Sequence, residues 1–147
     1  LAHWTTNEMQ YAYRSSILKR EFTSAVILSV GLKLDRGDRD EIKVRLEEYT
    51  AARKKSQPTG ASLGSIFKNP PGDYAGRLIE AAGLKGSRVG GVEISRKHAN
   101  FFINDQNATA QNLFDLIRLA QKTVWEKFGV SLETEIELLG SFKDGGK

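Results

Sequence analysis

The 147-residue sequence contains no cysteine, only two histidines (His3 and His98), three prolines and one methionine. Without cysteine there can be no disulfide scaffold, no thiol nucleophile and no thiolate site for zinc or an iron–sulfur cluster. The same absence fits a reducing compartment. Two histidines leave little material for a transition-metal centre. No apolar run approaches the roughly 20 residues that a membrane span requires, so no membrane association is expected. A single-signed charge excess is nearly missing as well: 22 Lys and Arg against 18 Asp and Glu leave a net charge of +4. That is a mild bias towards anionic ligands, far from the clustered charge of a dedicated DNA binder. There is no Gly-x-x-x-x-Gly-Lys-Ser/Thr phosphate loop. The chain starts at Leu1 instead of Met, and Leu1 to Thr6 lack the charged and apolar regions of a signal segment, so the chain is expected to be a piece of a longer protein.

What is present is an ordinary globular composition, 39% hydrophobic and 27% charged. From Ala25 to Leu34 the residues Val26, Leu28, Val30, Leu32 and Leu34 alternate with Ser29, Gly31 and Lys33, which predicts a half-buried strand. Asp38, with Glu41 three residues on, predicts a helix cap. Ile42, Leu46 and Tyr49 continue at helical spacing to about Arg53, where Arg53, Lys54 and Lys55 suit the negative end of the helix dipole. Residues 56–72 hold all three prolines among Gly, Ser, Thr and Asn, yet also contain Ile66-Phe67. Buried-type residues argue for a functional loop over a loose linker. Asp73 is expected to cap a short helix with Leu78, Ile79 and Ala82 on one face and Gly83 as its stop.

Beyond that point Arg88 to Ser95 and Ala99 to Asn104 read as strands. Leu113, Leu116, Ile117, Ala120, Val124 and Phe128 mark a long helix between Thr109 and Gly129, and Leu132 to Leu139 reads as a last strand. Strands and helices mix without a regular βαβ repeat. This predicts an α+β fold, a mixed sheet with helices packed on one face.

Four segments could carry chemistry. In Gly64-Ser65-Ile66-Phe67-Lys68-Asn69-Pro70 a hydroxyl sits beside an ammonium and a carboxamide able to grip a phosphate or sugar, although a tight turn uses the same residues. On a strand, Glu133, Glu135 and Glu137 would share one face with neighbours ~6–7 Å apart. That face is either the solvated side of an edge strand or the wall of a pocket in which repulsion and desolvation raise a pKa. Tyr13-Arg14 offers a permanently charged fork for a phosphate or carboxylate, or is merely exposed on a short helix. His98, before Ala99-Asn100-Phe101, is expected to be a structural donor more than a catalyst. Gly90-Gly91 predicts close backbone approach to another strand or to a ligand. A second class of function, a nucleotide- or RNA-binding module without catalysis, rests on Phe101-Phe102 on a strand near basic residues.

Taken together, Tyr13-Arg14-x-Ser16, Gly64-Ser65-x-Phe67-Lys68-Asn69-Pro70, Gly90-Gly91, His98-Ala99-Asn100-Phe101 and Leu132-x-x-Glu135-Ile136 resemble the C-terminal half of the UDP-N-acetylmuramate dehydrogenases, also called UDP-N-acetylenolpyruvoylglucosamine reductases. The resemblance runs from about Glu8 to Gly140, and its most specific string is Gly-Ser-x-Phe-Lys-Asn-Pro. It implies a cytoplasmic, monomeric flavoenzyme of peptidoglycan synthesis. In such an enzyme NADPH reduces bound FAD, and hydride then passes to UDP-N-acetylglucosamine enolpyruvate to give UDP-N-acetylmuramate.

By matching motif, the resemblance implies Ser65 as the general acid, Glu135 as its assistant and Arg14 as the group that holds the enolpyruvyl carboxylate. Tyr13, Lys55, Lys68, Asn69 and His98 are implied for the sugar nucleotide. Many members carry a basic residue two positions after the glutamate; Glu137 stands there in this sequence. The resemblance further implies that residues 1–35 are the remnant of an FAD-binding domain and residues 36–147 the substrate domain. A chain without the rest of the flavin domain is expected to turn over little by itself.

Overall fold

A computed structural model describes residues 1–21 and 24–143. The chain divides into two compact units, Leu1–Ile42 and Lys43–Lys147.

In the first unit the Glu8 carboxylate accepts both the Thr5 N–H and the Thr5 hydroxyl at 2.7 Å, which closes a turn and draws the Glu8 pKa down. Ala12 and Ser15 pair across a second tight turn, and α1 (Ile17–Arg20) follows. Arg20 ties α1 back to the side chains of Gln10 and Ser15. The predicted strand Ala25–Leu34 does not form: the stretch is irregular, and among the described residues it joins no ladder. Val26, Leu28, Val30, Leu32 and Leu34 are between 71% and 83% exposed, and Ile27 of the opposite parity is 63% exposed. Alternation supplies a strand's pattern, but a ladder also needs a neighbouring backbone and a face to bury against. Helix α2 spans Arg39–Ser56. Asp38 caps it as expected, its Oδ1 accepting the Asp40 and Glu41 amides at 2.9 and 3.0 Å. None of its side chains is buried, so its order rests on its own hydrogen bonds, the cap, and acidic residues at its start with basic ones at its end.

The second unit contains the core. Arg88 to Ser95 is a hairpin in place of one strand: β1 (Arg88–Val89) and β2 (Val92–Ile94) turn at Gly90-Gly91, and β3 (Phe102–Asn104) pairs with β2. The resulting sheet, in order β1-β2-β3, is antiparallel throughout. The α+β class therefore holds, while the expected mixed sheet does not. Gly91 explains the close approach seen in the sequence. A Cβ there would stand 2.3 Å from the Gln106 carbonyl oxygen, so the space is taken by backbone and not by a ligand.

Helix α4 (Ala110–Phe128) packs on β1 and β2, and α3 (Ala75–Ala81) packs on α4. Leu116, Ile117, Ala120 and Val124 are the buried stripe of α4, while Phe128 at its end is 40% exposed. Thr109 and Asn112 form a full capping box, and Gly129 ends the helix at φ +66°. Lys127 Nζ reaches the Ala82 carbonyl at 2.7 Å and Gln121 Nε2 the Leu132 carbonyl at 2.9 Å, which joins α4 to the segments on either side.

Two further expectations change. Asp73 does not occupy the cap position of α3, which falls on Tyr74; Asp73 instead accepts the Tyr74 amide and pairs with Arg77 one turn on. The predicted strand Leu132–Leu139 reduces to a single bridge at Thr134, because the chain bends at Glu135 and Ile136 and leaves the ladder.

Candidate functional site

Residues 65–68 run between two other segments of the second unit. On one side, Ser65 pairs with Phe101, and the Ile66 amide donates to the Asn100 carbonyl at 2.9 Å. On the other, Phe67 pairs with Thr134, the Glu135 amide donates to the Ile66 carbonyl at 2.8 Å, and the Lys68 amide donates to the Glu133 carbonyl at 2.9 Å. Ile66 and Phe67 are sealed in the core at 0% and 1% exposure, and Phe67 meets Phe102 edge-on. Two fully buried side chains of this size stabilise the segment by roughly 3–6 kcal/mol, enough to hold a glycine- and proline-rich stretch in one conformation. The long loop is therefore an anchored one.

The bridge at Phe67 and Thr134 places Ser65 and Glu135 within one residue of direct opposition along paired backbones. Both are half-buried. In the same register Lys68 lies opposite Glu133, and their side chains form an ion pair. Lys68 is thus engaged with a carboxylate of its own chain. The three glutamates do not share a strand face: Glu133 is exposed and paired with Lys68, Glu137 is exposed, and only Glu135 is partly enclosed. For Glu133 and Glu137 the solvated alternative is the correct one.

The carboxamide oxygen of Asn69 accepts the Ala75 amide at 3.1 Å, so it begins α3 from across the Pro70-Pro71 turn. Just beyond, Asp73 is held at a pKa of about 2, first by its hydrogen bonds from Arg77 and then by the Tyr74 amide. His98 is half-buried, edge-on to Phe101 at 4.9 Å, and its Nδ1 accepts the Asn100 amide at 3.2 Å. An accepting Nδ1 assigns the ring proton to Nε2, which makes His98 a structural acceptor where a structural donor was expected. Lys55 lies exposed in the last turn of α2 beside Arg53 and Lys54. Lys97, which the sequence did not single out, donates to the Lys54 carbonyl at 2.5 Å and adds a fourth cation to that helix end.

Arg14 and Tyr13 belong to the first unit. Arg14 is in the turn before α1, not on a helix. Its backbone is left-handed at φ +53°, and its guanidinium lies 5.6 Å above the Tyr13 ring. A left-handed arginine is uncommon and costs roughly 1–2 kcal/mol, so the turn holds this residue against its local preference.

Two more features bear on function. Gly60-Ala61-Ser62-Leu63-Gly64 has the spelling of a serine-hydrolase elbow, but it lies in loop with one bridge at Ala61 and leads into no helix, so the strand–turn–helix context is absent. Phe101 and Phe102 are 7% and 2% exposed. Rings closed into the core cannot stack on bases, which removes the observation behind an RNA-binding module. Among the described residues, no helix is long and apolar enough to cross a membrane.

Comparison with known proteins agrees with this geometry. Residues 56–139 match the family described as UDP-N-acetylenolpyruvoylglucosamine reductase, C-terminal domain. A UDP-N-acetylenolpyruvoylglucosamine reductase of Chloroflexus aggregans is 49% identical over 139 residues, which is 92% of this chain and 47% of that protein. One from Bacillus licheniformis is 43% identical over 93% of this chain and 75% of its own length. The crystal structure of UDP-N-acetylenolpyruvylglucosamine reductase from Thermus caldophilus superposes with a TM-score of 0.76 at 40% identity, covering 91% of this chain and 47% of that one. The chain thus spans about half the length of most of the relatives it matches.

Proposed function

The chain belongs to the UDP-N-acetylenolpyruvoylglucosamine reductase family, and from that premise we propose that it supplies the substrate-binding half of an FAD- and NADPH-dependent reductase of peptidoglycan precursor synthesis. The reaction is reduction of UDP-N-acetylglucosamine enolpyruvate to UDP-N-acetylmuramate by a monomeric enzyme in the cytoplasm. Residues 1–35 belong to the flavin-binding domain and residues 36–147 to the substrate domain. The exposed, unladdered stretch Ala25–Leu34 supports this division, since its alternating side chains suit the sheet of a larger domain. It does not by itself make a flavin cradle, and FAD is bound chiefly by residues outside this chain. When bound, the flavin supplies the hydride.

This chain's residues meet the charge and the proton. Hydride addition to an enol ether builds an enolate-like charge spread into the carboxylate. Arg14 supplies a fixed positive charge there through a bidentate fork. Ser65 is too weak an acid to protonate a neutral centre, but it can protonate a strongly basic carbanionic carbon if held in contact with it. Glu135 assists with the developing charge or the proton. Lys55, Lys68, Asn69, His98 and Tyr13 line the sugar-nucleotide site. For Lys68, phosphate binding requires exchange from Glu133, and a cation at a diphosphate is a charge-assisted contact at least as favourable as an exposed ion pair.

The observation that carries the reading is the bridged arrangement of 65–68 against 133–135, which joins the family's most specific string to its glutamate. The test is a titration of the chain with UDP-N-acetylglucosamine followed by amide shifts. Saturable shifts at Ser65 and Asn69 are expected. A sugar nucleotide that leaves both unmoved contradicts the assignment.

A further inference from the structure

We infer that Asn100 is a positioning residue for the proton-donating loop: its buried carboxamide clamps Phe67 and thereby fixes Ser65 relative to Glu135. The inference rests on the functional reading above.

Asn100 is 4% exposed, one of two buried polar residues among the described residues. Its Oδ1 accepts the Phe67 amide at 2.9 Å, and its Nδ2 donates to the Phe67 carbonyl at 2.8 Å. A side chain therefore takes both main-chain groups of one residue, the role a neighbouring strand would play. The Asn100 backbone is equally committed. Its carbonyl accepts the Ile66 amide at 2.9 Å, and its amide donates to His98 Nδ1 at 3.2 Å. Every polar group of this residue is used, three of the four on the two residues that follow Ser65.

The consequence for the site follows from the next layer. Ile66, held by Asn100 through its amide, offers its carbonyl to the Glu135 amide. A hydrogen-bonded path thus runs from the Asn100 backbone through residue 66 to Glu135, while the Asn100 side chain fixes residue 67 beside it and Ser65 stands at the edge. Ser65 itself has no place in the core, so its aim depends on the backbone beside it. Displacing a proton donor by about 1 Å costs on the order of 100-fold in rate, so the clamp matters to the chemistry even where the fold survives its loss.

The residue type is constrained. Aspartate keeps the acceptor but turns an oxygen towards the Phe67 carbonyl. Serine is too short to reach both groups. An aliphatic side chain leaves two buried main-chain groups unsatisfied.

The test uses Asn100→Asp and Asn100→Ser in the protein expressed together with the coding sequence upstream of Leu1, and two readouts. First, flavin bleaching by NADPH should stay within about twofold of the parent. Reoxidation by the enolpyruvyl sugar nucleotide should slow by about 100-fold, with the substrate dissociation constant changed less than about threefold. Second, hydrogen exchange at the Phe67 and Glu135 amides should accelerate while the amide of buried Ala120 in the middle of α4 stays protected, which reports a folded unit. Asn100→Ser serves if the charge of Asn100→Asp unfolds the protein. Reoxidation within about twofold of the parent in a folded variant overturns the inference. Unchanged exchange at Phe67 and Glu135 overturns it as well, and that readout needs no turnover. A parent protein that bleaches but is not reoxidised by substrate defeats the functional reading instead, and leaves the clamp to be judged by exchange alone.

Discussion

Gly91 and Ser65 show how differently single residues serve this chain. Gly91 is sterically forced: a Cβ at 2.3 Å from Gln106 O meets backbone that cannot swing aside. Gly91→Ala should therefore destabilise the second unit by about 1–3 kcal/mol in urea unfolding, and an unchanged midpoint would show that the hairpin shifts freely. Ser65, in its proposed role as the acid, is chemically forced. Ser65→Ala in the flavin-bearing protein should leave bleaching by NADPH intact and abolish reoxidation by substrate, as measured by stopped-flow absorbance. Survival of both half-reactions at normal rate removes Ser65 as the acid. The motif around Ser65 was legible in the sequence because its order of residue types is distinctive. The clamp by Asn100 was not, because a buried carboxamide and a turn-forming one look alike until the partner, 33 residues away, is known. Lys68 and Asn69 read as ligands of the sugar nucleotide; the structure adds their engagement with Glu133 and the start of α3.

Among the elements, those that complete themselves locally were the easiest to foresee. Helix α4 carries its stripe, its capping box and its glycine stop within its own 20 or so residues, and all three are where the periodicity places them. Strands depend on distant neighbours. Ala25–Leu34 has the better alternation and forms none, while β1 and β2 are short and exist because Gly90-Gly91 folds them onto each other. Leu132–Leu139 keeps only the bridge that residues 66–68 offer it.

The start of α3 gives a pH test at this scale. Asp73 has a folded pKa of about 2 against an ordinary 3.8, chiefly through Arg77. A lowered carboxyl pKa stabilises the folded state above the unfolded value and loses that contribution as pH falls through the folded one, here between about pH 4 and 2. A carboxyl-carbon titration should show the midpoint near 2 and its return towards 3.8 in Arg77→Ala. A midpoint near 3.8 in the parent would show that the pair does not persist in solution.

At the scale of the whole molecule the chain is uneven. The second unit has a closed core from Ile66 to Leu132. The first leaves Val26, Ile27, Leu28, Val30, Leu32 and Leu34 open to water. Exposed apolar alternation of that length suits the place proposed for this stretch, in the sheet of a flavin-binding domain. The modest +4 charge also finds a use at this scale, since Arg14, Lys68 and the cations ending α2 are the groups proposed to meet a carboxylate and a diphosphate.

The proposed division of labour between a hydride-bearing half and this half, proposed to hold the substrate and the proton donor, is tested most directly by expressing the gene with the coding sequence upstream of Leu1 and recording its absorption spectrum. A yellow protein is expected, with a flavin band that NADPH bleaches and UDP-N-acetylglucosamine enolpyruvate restores. A colourless protein, or a reduced flavin that the enolpyruvyl sugar nucleotide fails to reoxidise, would contradict it.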